Sequence, residues 1–297
     1  MELLRDTVLL IANPAARRGT RLHTVAMRAF RRAGVRCDAV ITEHSGHASE
    51  LAAHMARRYK AVFVLGGDGT AMEVVGALAH SGIPVGILAG GTGNLVARSL
   101  GVPLRVADAV PALLGGDEAV MDLGAMNNGR RFAFTLGVGV DARMIHETGP
   151  IMKRNFGIGA YAATATRAAL LPRPFHIRAL VDGEVYEREA VAVMLANFGS
   201  VLNDFLVLGP GIRQDDGLLD LCVFSPRGTS EAIRLAWRLF RQDFRTEPGL
   251  LYKPGRLFRI ECDPPQLYQA DGEVIGTTPV SAHVEPLAAR VLVPRRS

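Results

Sequence analysis

The stretch AVFVLGGDGTAMEVVGAL, residues 61–78, runs an apolar segment into Gly66-Gly67-Asp68-Gly69-Thr70 and then into an amphipathic segment. That order reads as strand, glycine-lined turn and helix, with a single carboxylate on the turn. Taken alone, Asp68 is explained as a helix N-cap, because an aspartate there accepts otherwise unbonded backbone N–H groups. Capping accounts for the acid but not for the small residues around it.

Outward from this unit, the first 122 residues repeat the same alternation. TVLLIAN is a short apolar run ended by Asn13-Pro14, RLHTVAMRAFRRAG has helical spacing and a stop at Gly34, CDAVIT is extended, and HASELAAHMARRY is helical. PVGILAGG is a further strand, followed by helical LVARSLG and RVADAVPALLGG. This is the pattern of a parallel α/β sheet, which binds ligands at the carboxyl ends of its strands. After Asp122 the texture changes to short β-rich pieces: RRFAFTLGVGV, FHIRALVDGEVYE, EAVAVMLAN, LLDLCVFS, RLFRIEC and PVSAHVEP. Turn signals at Asp182-Gly183, Gly209-Pro210-Gly211 and Asp216-Gly217 separate several of them. The expected fold is an α/β domain over residues 1–122 and an antiparallel β-sandwich over 123–287, with a final strand near 288–297 that returns to either domain. Two helices, near 157–171 and 230–245, interrupt the sandwich.

Composition agrees with two domains. A 297-residue chain with 48% hydrophobic residues has material for two cores. Lys+Arg against Asp+Glu is 13 to 11 through Asp122 and 21 to 18 beyond it, so the net charge of +5 is spread out and no nucleic-acid tail is indicated. Cys37, Cys222 and Cys262 lie far apart without a Cys-x-x-Cys pair, which suggests neither a zinc site nor a disulfide framework and fits a reducing cytoplasm. The start MELLRDTVLL is too acidic and too short in its apolar part for a signal peptide, and no run of about 18 apolar residues occurs. A cytoplasmic protein that meets its substrate from water is the expectation.

Three turns follow strands of the first domain: NPAARRG (13–19), GGDGT (66–70) and GGTGN (90–94). Without a Cβ, glycine lets backbone N–H groups approach an anion, and a helix N-terminus adds about half a positive charge. One such turn is ordinary; three on one sheet edge point to a polyphosphate. Neither the P-loop nor the dinucleotide fingerprint is matched. With a nucleotide present, Asp68 is suited to hold magnesium through waters, with Thr70 and Thr92 adding hydroxyls toward phosphate oxygens. A fourth signal is QADGEVIG, residues 269–276. Its Asp-Gly-Glu recurs at 182–184, where the flanks alternate like a plain hairpin, whereas 271–273 follow the Pro-rich CDPPQLY.

NPAARRG, GGDGT, GGTGNLVARSLG, GVGVDA, GIGAYA, DDGLLD and the late DGE stand in the order and spacing of the diacylglycerol kinase catalytic-domain family, and the chain resembles that family over nearly its whole length. The family includes bacterial lipid kinases and sphingosine and ceramide kinases. GGDGT alone is shared with NAD kinases and phosphofructokinases; its combination with GGTGN and DGE is what makes the resemblance specific. The resemblance implies a nucleotide domain followed by a β-sandwich, and transfer of the γ-phosphate of ATP to a lipid hydroxyl at a membrane surface. It implies ATP held by Gly66, Gly67, Asp68, Gly69, Thr70, Ala71 and Met72, with Asn13, Thr42, Gly91, Thr92, Gly93 and Asn94 nearby. It further implies Glu273 as the base for the lipid hydroxyl, supported by Asp271, and a Mg2+ site at Asp216 with the carbonyls of Arg213 and Leu218. Where many bacterial relatives have an acid after Gly-Thr-Gly-Asn, this chain has Leu95, an apolar residue there also in sphingosine-type relatives. An NAD kinase-like enzyme and a nucleotide- or lipid-binding protein with little turnover are the alternatives. Peripheral contact with the inner membrane face and a homodimer are left open.

In SEAIRLAWRLFRQDFR, Ile233, Ala236, Trp237, Phe240 and Phe244 share a helical face, and Arg234, Arg238, Arg241 and Arg245 each follow an apolar position. Such a helix either lies in a membrane interface or packs its apolar face on the sandwich with solvated arginines.

Overall fold

The computed structural model describes residues 7–14, 19–139, 174–201, 206–207, 209, 211–241, 243 and 249–295. They form two compact units, one of the described residues up to Met121 with those from Leu287 on, and the other of those between Asp122 and Pro286.

In the first unit, strands β1 (Val8–Ala12), β2 (Cys37–Ile41), β3 (Val62–Gly66) and β4 (Val85–Ala89) pair in parallel in the order β2-β1-β3-β4. Parallel neighbours need crossovers, and helices α1 (Gly19–Arg32), α2 (His47–Met55), α3 (Asp68–Ala77), α4 (Leu95–Ser99) and α5 (Val106–Leu114) occur along them. Every residue of β1, β3 and β4 is buried, which is why these strands read as unbroken apolar runs. The chain steps from β1 outward to β2 and then back to β3 on the other side of β1. That reversal opens a crevice at the carboxyl ends of β1 and β3. The end of the chain returns here, with Val291 beside Val85 in parallel.

The second unit is built from β5 (Asp117–Met126, which enters it at Asp122), β6 (Arg131–Phe132), β7 (Thr135–Gly139), β8 (Phe175–Val181), β9 (Glu184–Ala190), β10 (Ala192–Ala196), β11 (Ser200–Val201), β12 (Leu206–Val207), β13 (Leu219–Phe224), β14 (Leu250–Gly255), β15 (Leu257–Asp263), β16 (Leu267–Ala270), β17 (Glu273–Thr277) and β18 (Val280–Val293, which leaves it after Pro286). One sheet runs β14-β13-β10-β7-β16-β17, and the other contains β18-β15-β8-β9. Inward residues of both form one core: Leu136, Val193 and Leu221 from the first meet Ile177, Phe258 and Ala282 from the second. Strand β8 alternates buried and exposed along its whole length, so its sheet has one wet face. The opposite face of the six-stranded sheet is covered by helix α6 (Thr229–Phe240), whose Leu235 packs with Ala196, Cys222, Phe224 and Leu250.

Several sequence expectations are corrected. RRFAFTLGVGV is not one strand: it breaks between β6 and β7 because the amides of Ala133, Phe134 and Thr135 turn to the Asp271 carboxylate. PVSAHVEP and ARVLVP are not separate pieces, since β18 runs through both, with a positive φ of 48° at Leu287. The helix expected at 230–245 spans Thr229–Phe240, and its buried side carries Leu235 and Arg238 at 8% and 9% exposure, while Ile233 and Trp237 point outward at 55% and 59%. Arg238 is inside because its guanidinium meets Asp243 at 3.4 Å while its aliphatic stem packs. Phe244, the expected helix at 157–171 and the GIGAYA segment lie outside the described residues, as do the side chains of Ala236 and Phe240.

The two faces of the sandwich respond differently to truncation. Leu221→Ala should cost about 2–5 kcal/mol in urea unfolding. Leu180→Ala, on the wet face at 36% exposure, should stay within about 0.5 kcal/mol.

Candidate active site

Register aligns Ala12 with Ile41 and with Leu65, and Gly66 with Ala89. The residues that follow, Asn13, Thr42, Gly67 and Gly90, therefore line one rim. Asn13 Nδ2 donates to Thr70 Oγ1 at 2.9 Å, so the first turn is tied to the second. The Thr42 amide donates to the Ala12 carbonyl at 2.9 Å, and Gly90 donates to Gly66 at 2.8 Å. The second and third turns touch backbone to backbone: a Cβ on Gly91 would lie 2.6 Å from the Gly67 Cα. Gly91 is thus required by the packing itself, with or without a ligand, while a Cβ on Gly67 would make only an ordinary contact at 3.6 Å.

Asp68 is the first residue of α3, and its Oδ1 accepts from the amide of Val96 at 3.1 Å. The amides of Leu95 and Asn94 also bond its carboxylate. Asn94 adopts the left-handed conformation, φ 50° and ψ 43°, and uses its own side chain on Gly91, accepting from N at 2.8 Å and donating to O at 2.9 Å. Asp68 therefore supplies the cap that Asn94 does not. Burial pushes its carboxyl pKa up, and the α4 amides pull it down. Thr92 and Gly69 are exposed on this rim, and Gly93 is half-buried. Ala71 and Met72 are buried at 2% and 8%, and the Ala71 amide donates to the Gly67 carbonyl at 3.0 Å, so both belong to the packed start of α3. Glu73, which the sequence reading passed over, accepts from the amides of Gly46 and Ala48 at 3.0 and 3.2 Å and so fixes the start of α2. An acid in an otherwise apolar helix just after GGDGT was its signal.

In the second unit, both Asp-Gly-Glu copies are two-residue hairpin turns with positive φ at Asp and Gly: 49° and 94° at 182–183, 46° and 86° at 271–272. The two turns are alike, and the flanks differ as expected: the later hairpin carries a bulge between Tyr268 and Gln269, and the earlier one keeps an unbroken register. Asp271 accepts from Ala133, Phe134 and Thr135 at 2.7, 2.8 and 3.1 Å, and Gln269 accepts from Gly272 at 2.7 Å. The turn is pinned from both sides. Glu273 follows it with a side chain 65% exposed, opposite Arg130 at 3.5 Å. Glu184, in the other copy, accepts from its neighbour Tyr186.

Asp216 Oδ1 accepts from the Leu218 amide at 3.1 Å, and Arg213 Nε reaches Asp215 at 3.1 Å. Asp220, on β13, has its carboxyl pushed up to about 6 by burial and by the charge of Asp216. Two acids that repel across a short turn suit a hard cation with oxygen ligands, so these residues fit magnesium. Asp122, fully buried, holds the same turn by donating to the Gln214 carbonyl at 2.6 Å and accepting from Gly217 at 2.7 Å. Asn197 donates to the carbonyls of Asp122 and Ala133, both at 2.8 Å, linking this strand to the segment that Asp271 holds. Neither Asp122 nor Asn197 stood out in the sequence, because their partners are remote.

Residues 7–126 match the model of the diacylglycerol kinase catalytic domain, and residues 135–293 match that of the YegS C-terminal NAD kinase beta sandwich-like domain. A diacylglycerol kinase of Mycobacterium tuberculosis is 30% identical over 82% of this chain and 80% of its own length. An uncharacterized protein of Synechocystis sp. is also 30% identical, over 78% of this chain, but the chain spans only 54% of that relative's length. A crystal structure from Bacillus anthracis str. Sterne, described provisionally as a diacylglycerol kinase, superposes with a TM-score of 0.83 at 26% identity, covering 97% of this chain and 95% of that one. The chain belongs to the diacylglycerol kinase catalytic-domain family, as a kinase with an α/β domain followed by a β-sandwich.

Proposed function

We propose that this kinase transfers the γ-phosphate of ATP to a lipid hydroxyl. The observation that carries the reading is Glu273: an exposed carboxylate on a turn whose neighbours Asp271 and Gly272 are both held by hydrogen bonds. An alcohol is a weak nucleophile, and a carboxylate carried next to a pinned turn and open to solvent is suited to accept its proton as the oxygen attacks phosphorus and ADP leaves. Asp271 acts on Glu273 through the turn, as a positioning residue. On the other unit, Asn13, Thr70 and the turn amides at the start of α3 are placed to orient the phosphates. Asp68 has a structural role as the cap of α4, and its charge is proposed to act on the phosphates as well. Magnesium, held by Asp216 with the carbonyls of Arg213 and Leu218, would supply the positive charge that the Asp216 and Asp220 pair invites.

A second reading has NAD as the acceptor, favoured by the kinship of residues 135–293 with an NAD kinase sandwich. Radiolabelled ATP offered with a mixed lipid extract, and separately with NAD, decides between them: label in the lipid phase is expected, and label in NAD alone would overturn the lipid reading.

Glu273→Gln should lower turnover by about 100-fold or more while ATP binding persists, and Glu184→Gln should leave turnover near that of the parent chain. Equal losses at both positions would remove the base assignment.

Asp68→Asn keeps an oxygen for the α4 amides, so melting temperature should barely move while most turnover is lost. Turnover near normal at saturating ATP would reduce Asp68 to its capping role.

Asp220 has a folded pKa near 6 against an ordinary 3.8, so the folded chain binds more protons between those values and stability falls as pH rises through that window. Above it, magnesium should raise the melting temperature of the parent chain and leave Asp216→Asn unchanged. A magnesium response in Asp216→Asn equal to that of the parent would place the ion elsewhere.

A further inference from the structure

The outward face of α6 is not what the helix needs for its own packing. Leu235 and Arg238 point inward, at 8% and 9% exposure. Ser230, Ile233, Arg234, Trp237 and Arg241 are all exposed, and their spacing follows one stripe of the helix. The turn extends one residue past Phe240, since the Arg241 amide donates to the Trp237 carbonyl at 3.0 Å, which keeps Arg241 on that stripe. Ile233 and Trp237 are one helical turn apart, at 55% and 59% exposure, and Arg234 and Arg241 flank Trp237. The nearest acid on the helix, Glu231, is half-buried and engaged by the Arg227 amide at 2.7 Å and by Arg234 at 3.5 Å. Single exposed apolar side chains are ordinary on protein surfaces. An isoleucine and a tryptophan side by side, bordered by two arginines and with no acid on the stripe, are a different surface.

We propose that this stripe docks on an anionic lipid bilayer, with Ile233 and Trp237 entering the interface and Arg234 and Arg241 meeting lipid phosphates. Helices that lie in a bilayer interface pair apolar and aromatic residues with basic ones in this way, and tryptophan prefers the headgroup level. A second copy of the chain is a poorer occupant, because a twofold contact through the stripe would bring arginines against arginines. Use of the surface to reach an acceptor rests on the lipid-kinase reading; the docking itself does not.

The whole chain is mixed, without ATP, with vesicles of equal phosphatidylcholine and phosphatidylglycerol. Trp237 is the only tryptophan in the sequence, and its emission should shift to the blue as the chain sediments with the vesicles. Arg234→Gln/Arg241→Gln should weaken binding roughly fivefold for each arginine, about 30-fold for the pair. Ile233→Ser/Trp237→Ser should also sediment less. Docking is overturned if Trp237 emission stays put while the chain sediments, or if the arginine pair variant binds as well as the parent. A concentration-dependent dimer dispersed by Ile233→Ser, with no vesicle response, would overturn it in favour of a second copy. Turnover on a soluble short-chain lipid is measured apart: its failure beside an intact vesicle response would count against phosphoryl transfer and uphold the docking surface.

Discussion

One carboxylate joins the starts of two helices: Asp68 opens α3 and caps α4. Helix α4 has only five residues, too few to stand by propensity, and its own N-cap residue is occupied elsewhere. What allows the bond is the contact between the turns that follow β3 and β4. Those strands are neighbours, so their turns leave the sheet side by side, and the backbones approach until Gly91 has no room for a Cβ against Gly67. The glycine at 91 is therefore set by sheet geometry before any phosphate arrives, whereas Gly69 has open space around it. The rim that suits a polyphosphate and the contact that closes the fold use the same atoms.

The second unit uses aspartate in a comparable way. Asp182 accepts from the amides of Arg256 and Leu257, and Asp271 from those of residues 133–135, each from a turn with positive φ. Both are local staples between a hairpin and a distant segment. The hairpins differ in the glutamate that follows. Glu184 is satisfied by the Tyr186 hydroxyl two residues on, whereas Glu273 faces Arg130, from the loop between β5 and β6, within ion-pair distance at 3.5 Å. A base needs an accessible lone pair, so the same tripeptide performs structure at one site and is available for chemistry at the other.

The parallel sheet was legible because burial on both faces leaves strands such as VFVLG wholly apolar, and the sandwich because alternation such as that of FHIRALV survives in β8. The motif turns were legible because Gly91 stands where a neighbouring backbone leaves no room for a Cβ and Asn94 where the chain turns left-handed. What was hidden depends on partners far along the chain. The break in RRFAFTLGVGV comes from Asp271, more than a hundred residues later, and the inward turn of Arg238 comes from Asp243 and the packing of its stem. Periodicity alone put Arg238 among the solvated arginines, since it weighs an arginine as polar whatever its aliphatic part covers. Asp122 and Asn197 escaped for the same reason: their importance lies in carbonyls and amides that no local pattern names.

Leu95 is best understood through Asp68. Residue 95 contributes its backbone amide to that carboxylate, while its half-buried side chain sits beside Gly93, whose absent Cβ would lie 3.7 Å from Leu95 Cγ. A second acid here would gain from the α4 N-terminus, on the order of 0.3–1 kcal/mol. It would also stand next to a carboxylate already raised in pKa by burial and dependent on the same amides. Leucine leaves Asp68 as the only acid among residues 66–72 and 90–98, with Arg98 close by and donating to the Gly93 carbonyl at 3.1 Å. An anionic ligand therefore meets less negative charge at these turns than an acid at residue 95 would present.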